Sequence, residues 1–373
     1  MDQGHSSGTP KTALVLAGGG IPGWMYEVGC LTALDDFFDN FSVNQFDIYV
    51  GTSAGAAVAA LMANGIKPRE IYEDIKFGRK TPANFARKDI YGLGYQETYS
   101  MIKKFFRSLF QIAKYYYQSK APISLLEILE MLQESLPSGI FTIKKLDIFL
   151  ANLLSQGGYT NDFRKLKKEL YIPAVNLDLG QYDVFGEAGP EAFDEVPISL
   201  AVSASSAIPI FFQPVHINGN DYIDGGVGRV AYMDIAMNHG AELMWIINPI
   251  QYIKNDRKKV RLPSIMGGAP TIKEKGVAYI YDQSLRINTA TRIYLAIKRY
   301  CSEHPKKDFV LMQPDQSATV LFSHHPVSFN AKTEIMQYGY LSTMEKLKAE
   351  FGYYQDCLSR YQIKCRLDKF TGP

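Results

Sequence analysis

A short apolar strand that leads into small residues and then into a helix occurs twice within the first 65 residues. The first apolar run, residues 13–17, stops at glycines, and apolar residues then recur at helical spacing from 24 to 38. The second run, residues 46–50, precedes a helix of small residues at 54–63. This repeated order predicts an α/β domain with parallel strands. We therefore expect a three-layer α/β/α core with a mainly parallel sheet.

The rest of the chain predicts additions to this core. We expect a flexible N-terminus at residues 1–10, an α/β core at 11–250 with a helical insertion or cap at 80–168, and a mixed, mainly helical region at 251–373 packed on the core. Further strands are predicted at residues 169–175, 208–212, 215–218 and 243–247, and further helices at residues 277–302 and 331–350.

Composition narrows the class of protein. The chain has 373 residues and a net charge of +2, so the overall charge gives no reason to expect a nucleic-acid partner. The polar first ten residues do not resemble a secretory signal, and the apolar stretches are shorter than a spanning helix requires. The cysteines have no disulfide-framework or metal-ligand spacing, which predicts reduced thiols, a cytoplasmic location and no metal site. They are Cys30, Cys301, Cys357 and Cys365.

The second strand ends at a pentapeptide, GTSAG, whose central serine is a candidate nucleophile. A serine on a sharp strand-to-helix turn presents its hydroxyl in a strained conformation, and only small neighbours allow such a turn. The positive end of the following helix also favours negative charge that develops there. A tight turn with an incidental serine is the alternative interpretation. The residues are Gly51, Thr52, Ser53, Ala54 and Gly55.

The first strand ends at a glycine-rich loop, GGGIPG, which opens the first helix. Glycines let backbone N–H groups approach a ligand closely, and amides at the start of a helix bind anions. Two chemistries use this arrangement. One is the pyrophosphate of a dinucleotide, whose fingerprint is G-x-G-x-x-G, and the other is the oxyanion of a tetrahedral acyl intermediate. The loop consists of Gly18, Gly19, Gly20, Ile21, Pro22 and Gly23.

The dinucleotide interpretation, an oxidoreductase, requires an acidic residue about 20 positions further on, at the end of the second strand. Asp39 has roughly this spacing but lies at the end of the predicted helix, and Asp47 lies near the start of the strand. The strand ends instead at Ser53. The oxyanion interpretation fits the sequence better, and we expect no cofactor.

A serine nucleophile requires a general base, which is usually histidine. An α/β-hydrolase orders its triad as Ser, Asp, His, and Asp224 followed by His239 or His304 formally satisfies that order. That fold normally builds several strands before its nucleophile, whereas one strand and one glycine loop precede Ser53 here. We therefore expect the histidines to have surface or packing roles.

The tripeptide DGG offers a different base. Asp224 follows a strand-like run at 216–223, and Gly225 and Gly226 let another backbone or a substrate approach. A carboxylate within hydrogen-bond reach of Ser53 could accept its proton directly, provided that burial raises the carboxyl pKa. An ordinary turn is the alternative interpretation of this tripeptide.

In their order along the chain, GGGIPG, GTSAG and DGG resemble the motifs of the patatin-like phospholipase family. ASSAIP at 204–209 also resembles the family's ASxxxP segment, and the resemblance covers about residues 11–250. It implies an oxyanion hole in the glycine loop, a Ser53–Asp224 dyad without histidine or metal, and a covalent acyl-serine intermediate. The implied substrate is a lipid or another acyl ester, as for a phospholipase A or lysophospholipase. A catalytically silent lipid-binding protein of the same fold is the remaining alternative.

Two positions depart from the family pattern. The family's glycine loop usually carries Lys or Arg where this chain has Pro22, which has no N–H to donate. After DGG, residues 227–229 replace an Asn-containing turn of many members. The first departure affects the charge at the site and the second affects local substrate contacts.

Residues 98–126 carry basic side chains and no acidic one, and their apolar residues recur at helical spacing. One interpretation of a basic, aromatic-rich amphipathic helix is that it lies at an anionic membrane surface, which would place the protein at the membrane periphery. Another is that it caps an active site. The alternative is a helix that packs its apolar face on the core and leaves its basic face in solvent.

Overall fold

The structure is a computed structural model, and the residues it describes are 10–79, 81, 84–93, 103, 106–114, 117–118, 137–229, 231–258, 262, 267, 270–324 and 326–367. Most of the predicted flexible N-terminus and much of the predicted 98–126 helix lie outside these residues.

Strands and helices alternate over most of the chain. The strands are β1 (Lys11–Leu16), β2 (Ile48–Gly51), β3 (Gly92–Leu93), β4 (Gly139–Thr142), β5 (Glu169–Asn176), β6 (Gln181–Phe185), β7 (Ile210–Phe212), β8 (Val215–Ile217), β9 (Asn220–Ile223), β10 (Ala241–Ile247) and β11 (Asp308–Met312). The helices are α1 (Gly20–Phe37), α2 (Ala54–Ala63), α3 (Pro68–Lys76), α4 (Arg87–Ile90), α5 (Lys144–Leu154), α6 (Ile198–Ser205), α7 (Met233–Asn238), α8 (Val277–Glu303), α9 (Thr319–Phe322), α10 (Lys332–Ala349) and α11 (Phe351–Ser359).

The central sheet has the strand order β11-β10-β1-β2-β5-β9-β8, and β6 also pairs with β5. The first five strands in this order run parallel to one another, whereas β6, β8 and β9 pair in antiparallel fashion. The carboxyl ends of β1 and β2, which are adjacent, therefore meet at one edge, where ligands of open α/β sheets bind. The predicted mainly parallel sheet is confirmed.

Both faces of the sheet are covered by helices. Leu14 and Leu16 of β1 point into a core shared with α1, α2 and α10, whereas Ala13 and Val15 point into a core shared with α7 and α8. This alternation follows from the two-residue period of a strand, and it explains why β1 is apolar on both sides. The predicted three-layer α/β/α fold is confirmed.

Helix α10 lies tightly along α1 because two glycines let their backbones approach. A Cβ added at Gly29 would lie 2.1 Å from the Met336 carbonyl oxygen, and one at Gly339 would lie 2.5 Å from the Tyr26 carbonyl oxygen. Residues after 250 thus supply a helix of the main core as well as strand β11 of the central sheet. The sequence analysis described this region as mixed and mainly helical and named no strand within it.

Other boundaries differ from the sequence predictions. Helix α1 begins at Gly20, so the glycine loop forms its first turn. The run at 216–223 is a hairpin of β8 and β9, because Asn218 and Gly219 both have positive φ and form the turn. In the region predicted as a helical insertion, β3 and β4 join β7 in a small second sheet.

A bilayer-spanning helix would have to be both long and apolar. Among the described residues, no helix has that combination of length and hydropathy.

Candidate active site

Ser53 lies between β2 and α2 in a strained backbone conformation. Its φ of 56° and ψ of −127° are unusual for a non-glycine residue, as a sharp strand-to-helix turn requires. Small neighbours are needed because the chain segments nearly touch: a Cβ at Gly51 would lie 2.5 Å from the Gly55 carbonyl oxygen, and one at Gly55 would lie 2.6 Å from the Leu16 carbonyl oxygen. The predicted GTSAG turn therefore has the geometry of a nucleophile elbow.

The hydroxyl of Ser53 donates a hydrogen bond to a carboxylate. Its Oγ lies 2.5 Å from Oδ2 of Asp224, and both residues are buried. The other carboxylate oxygen accepts the backbone N–H of Gly226 at 2.6 Å. Burial raises the pKa of Asp224 to about 6, although the hydrogen bonds from Ser53 and Gly226 lower it in part. A carboxylate with this pKa is ionised at neutral pH and is a stronger base than an exposed aspartate.

The glycines after Asp224 hold it in place. A Cβ at Gly225 would lie 2.3 Å from the carbonyl oxygen of Pro173 in β5, so only glycine allows this close approach. The Tyr232 hydroxyl donates to the Gly225 carbonyl at 2.7 Å. Further along, Arg229 pairs with Asp234 at 2.6 Å. The tripeptide therefore places the carboxylate at the end of β9, facing the elbow.

Ser205, in the ASSAIP segment at the end of α6, links three parts of the site. Its Oγ accepts the backbone N–H of Ser53 at 3.0 Å and donates to the Pro173 carbonyl at 2.7 Å. Its own carbonyl accepts the N–H of Gly225 at 3.2 Å. Sequence reasoning noted the ASSAIP segment but gave Ser205 no role. The structure assigns it the position of a buried link between the elbow and the DGG turn.

The glycine loop lies directly against the elbow. A Cβ at Gly18 would lie 2.8 Å from the Cβ of Ser53, and Gly19 is the N-cap of α1. The amide of Ile21 donates to the Pro326 carbonyl oxygen at 2.8 Å, and that of Gly23 donates to the Gly19 carbonyl at 3.1 Å. Among the described residues, the amides of Gly19 and Gly20 have no such acceptor.

Pro22 fits this loop without cost to hydrogen bonding. It is the third residue of α1, counted from Gly20, and residues in the first turn have no carbonyl within the helix to which their N–H could donate. The departure from the family pattern at this position therefore removes a charge without disturbing the helix start.

The alternatives from the sequence receive no support from the contacts. Asp47 accepts hydrogen bonds from Thr12 at the start of β1, and Asp39 forms an ion pair with Arg366. Both acidic residues that were considered for the dinucleotide interpretation therefore have other partners. The ring of His239 contacts the Tyr171 hydroxyl and Glu187. His304 directly follows the last residue of α8. Among the described residues, no histidine forms a hydrogen bond with Ser53 or Asp224.

A small cavity of about 30 Å³ adjoins Ser53, with room for about two water molecules. It lies between the core, the insertion and the segment that carries Pro326. Its wall is mostly apolar, and Thr52, which is buried beside Ser53, does not line it. The lining residues are Gly20, Ile21, Trp24, Ser53, Ala54, Ala57, Ile90, Tyr91, Ile143, Leu146, Ser206, Ile208, Phe212, Pro326 and Val327.

Two solved structures show limited similarity to this chain. VipD from Legionella pneumophila has a TM-score of 0.40 at 15% identity, over 92% of this chain and 68% of that one. The type III effector protein ExoU has a TM-score of 0.32 at 15% identity, over 96% of this chain and 55% of that one.

Sequence comparison is more specific. A viral protein described as probable lipid hydrolase 463L, from Invertebrate iridescent virus 6, is 26% identical over 227 residues, which are 61% of this chain and 63% of the viral protein. The sequence profile of the family described as Patatin-like phospholipase matches residues 14–237, which include the glycine loop, the elbow and the DGG turn. The resemblance seen in the motifs is thereby confirmed, and the chain belongs to the patatin-like phospholipase family.

Proposed function

We propose that this chain is a serine hydrolase that cleaves acyl esters of lipids through a covalent acyl-Ser53 intermediate. The observation that carries the proposal is the 2.5 Å hydrogen bond from Ser53 Oγ to Asp224 Oδ2, made by a serine on a strained elbow. Membership of the patatin-like phospholipase family and the description of the viral relative as a probable lipid hydrolase support a lipid substrate.

In the acylation step, Ser53 Oγ attacks the ester carbonyl carbon while Asp224 accepts the hydroxyl proton. The existing hydrogen bond already directs that proton to Oδ2. The tetrahedral intermediate then collapses, the bond to the leaving alcohol breaks, and Asp224 returns the proton to the alcohol oxygen. The acyl group remains on Ser53 as an ester.

In the deacylation step, a water molecule attacks the acyl-Ser53 carbonyl carbon and Asp224 accepts its proton. Collapse of the second tetrahedral intermediate releases the fatty acid, and Asp224 returns the proton to Ser53 Oγ. One carboxylate thus alternates between base and acid, which suits a group whose pKa burial has raised to about 6.

The negative oxygen of each tetrahedral intermediate requires hydrogen-bond donors. The glycine loop lies against Ser53, and the amides of Gly19 and Gly20 at the start of α1 are the proposed donors. The positive end of the α1 dipole favours the same charge. The amide of Ile21, in the same loop, donates to the Pro326 carbonyl in this conformation and would contribute only after that contact opens.

Labelling with a fluorophosphonate probe tests the dyad directly, because the probe forms a stable bond with an activated serine. We expect labelling of the wild-type chain, none of Ser53→Ala, and a sharp decrease in Asp224→Asn. His239→Asn is the matched control, since His239 lies near β5 without contacting the dyad, and it should label like wild type. A wild-type chain that stays unlabelled even with detergent or liposomes would contradict the proposal and favour the silent lipid-binding alternative.

We further propose that the 98–126 segment contacts an anionic lipid surface. In its described part, residues 106–114 are helical, and Phe110 and Tyr117 are 71% and 84% exposed. Arg107 and Lys114 in the same stretch are also exposed. Large aromatic side chains in solvent beside basic ones favour an interfacial helix over one packed on the core.

A vesicle sedimentation assay tests this contact. We expect the chain to bind vesicles of phosphatidylcholine mixed with phosphatidylglycerol more strongly than vesicles of phosphatidylcholine alone, because basic residues are attracted to anionic lipid. Phe110→Asp should reduce this binding by about tenfold, as expected for the loss of one buried aromatic ring. Leu341→Asp, which changes an equally apolar, 57% exposed residue on α10, is the control and should bind like wild type.

A further inference from the structure

Two polar side chains line the cavity beside Ser53 without a hydrogen-bond partner. The indole Nε1 of Trp24, in α1, and the Oγ of Ser206, directly after α6, make no hydrogen bond to the part of the chain that the structure describes. Trp24 is only 3% exposed, and the polar atoms of both side chains are shielded from solvent. Each residue therefore carries a buried donor, and its side chain adjoins the mostly apolar cavity.

Buried donors without partners are uncommon because they lose their hydrogen bonds to water on folding and gain nothing in return. The position of these two suggests why they are tolerated. They adjoin the proposed nucleophile, where a substrate must enter, and they come from opposite sides of the elbow in the sequence, one from the glycine-loop helix and one from the ASSAIP segment. A bound oxygen atom would supply the acceptor that each donor lacks.

The oxygen of the scissile carbonyl does not need these donors, since the amides of Gly19 and Gly20 are proposed to serve it. We infer that Trp24 and Ser206 bind a second acceptor oxygen of the substrate, next to the ester that is cleaved. The two residues would thus select esters of a polyol backbone, such as glycerolipids, over esters of simple alcohols. This inference rests on the proposed function and assigns binding roles to two residues outside the dyad and the oxyanion loop.

The test compares two substrates that give the same acyl-enzyme. Palmitoyl-lysophosphatidylcholine carries further oxygens close to its ester, whereas ethyl palmitate in the same detergent micelles has none beyond the ester itself. Released fatty acid is measured for wild type, Ser206→Ala and Trp24→Phe. The second variant keeps an aromatic ring to pack on Phe85, whose centroid lies 4.5 Å from that of Trp24.

We expect the ratio of kcat/KM for the lysophospholipid to kcat/KM for the ethyl ester to decrease by about tenfold in each variant. This corresponds to about 1.4 kcal/mol for one lost hydrogen bond. Ser203→Ala and Trp245→Phe are the matched controls. They also remove a buried, unpartnered hydroxyl and indole N–H, but neither residue lines the cavity, so the ratio should stay at the wild-type value.

Three results are distinguishable. A decreased ratio in the cavity variants alone supports the inference. An unchanged ratio overturns the inference. This includes the case in which both substrates are hydrolysed more slowly by the same factor. Such an equal decrease would indicate a role in packing or in holding the hydrolytic water, because both substrates form the same acyl-enzyme. If the wild-type chain hydrolyses neither substrate and Ser53 resists labelling, the proposed function itself fails.

Discussion

The backbone amide of Ile21 donates a hydrogen bond to the carbonyl oxygen of Pro326 at 2.8 Å. Ile21 belongs to the glycine loop within the region matched by the family, whereas Pro326 lies almost 90 residues beyond the end of that region. The segment that carries Pro326 follows α9, whose Leu321 carbonyl accepts Arg286 Nη2 at 3.3 Å. The C-terminal part of the chain therefore forms one wall of the candidate active site.

This contact predicts that Gly20 tolerates no side chain. A Cβ there would lie 2.1 Å from the Pro326 carbonyl oxygen, and the φ of +62° is itself unfavourable for other residues. We expect Gly20→Ala to lower the free energy of unfolding by about 2–4 kcal/mol, the sum of backbone strain and overpacking. Turnover of a lipid ester should decrease at least about tenfold, since the loop is displaced from Ser53.

Gly65→Ala is the control for this variant. Gly65 also has positive φ, +84°, but its Cβ would have nothing within 4 Å. It should lose only the backbone strain, about 1–2 kcal/mol, and retain wild-type turnover. Chemical unfolding measures the stability of both variants, and steady-state hydrolysis of a lipid ester measures their turnover. Equal effects of the two substitutions would show that the Pro326 contact is unimportant.

Ser205 gives a second prediction, because its hydroxyl serves two buried backbone groups. Ser205→Ala leaves the Ser53 N–H and the Pro173 carbonyl without their partner. We expect a loss of about 1–3 kcal/mol of unfolding free energy and a clear decrease in kcat, since the strained Ser53 backbone loses a restraint. Ser203→Ala on the same helix removes a hydroxyl that is buried and unpartnered, so this control should be neutral or slightly stabilising. Thermal unfolding with parallel ester assays compares the two, and equal stability would contradict the role of Ser205.

The residues that the sequence indicated for the candidate site lie together in the structure, and the determinants of their placement are local. Gly51, Gly55 and Gly225 are required because a Cβ at any of them would lie 2.3–2.6 Å from a backbone oxygen, so these glycines are readable in the sequence. Helix α2 was predicted with its observed bounds, 54–63, because a run of small apolar residues begins at the elbow and stops before Asn64-Gly65. The resemblance of the ordered motifs to the family implied Asp224 as the partner of Ser53.

What the sequence did not predict depends on contacts between distant segments. Strand β11 has five residues, of which the last four are apolar, and this short pattern alone does not distinguish a strand from a helix. Its pairing with β10 shows that it is a strand. Pro326 lies in no motif, so nothing local indicated its contact with Ile21. The β8–β9 hairpin, in contrast, has a local signal in the sequence. Asn218-Gly219 is a typical turn between two short strands, and the sequence analysis overlooked it.

The raised pKa of Asp224 predicts the pH dependence of turnover. Only the ionised carboxylate accepts the Ser53 proton, and burial raises this pKa to about 6. We therefore expect kcat/KM to increase about tenfold per pH unit below that value, to be half-maximal near it, and to reach a plateau above it. The rate of fluorophosphonate labelling should follow the same curve, since it depends on the same deprotonation. A midpoint near the usual aspartate value of about 4 would contradict the raised pKa of Asp224.

The same pKa shift predicts that Asp224 lowers stability at neutral pH. The pKa of Asp224 is about 6 in the folded state and about 3.9 in the unfolded state, so the folded state binds the proton more tightly. The free energy of unfolding therefore decreases as the pH rises from about 4 to 6. Above this range the buried carboxylate costs on the order of 3 kcal/mol. Asp224→Asn removes the charge at similar shape, and its amide oxygen and nitrogen still suit Gly226 and Ser53.

We therefore expect Asp224→Asn to be inactive yet more stable than wild type by up to about 3 kcal/mol near pH 8, with the difference vanishing near pH 4. Ser53→Ala is the contrasting control: it is equally inactive, but it keeps the buried carboxylate and removes the hydrogen bond at 2.5 Å, so it should be less stable than wild type near pH 8. Urea unfolding of the three proteins at both pH values measures these differences. Asp224→Asn could instead be inactive and less stable than wild type near pH 8. That result would mean that hydrogen bonds to the ionised carboxylate stabilise the folded state by more than its burial destabilises it, and the proposed origin of its basicity would be wrong.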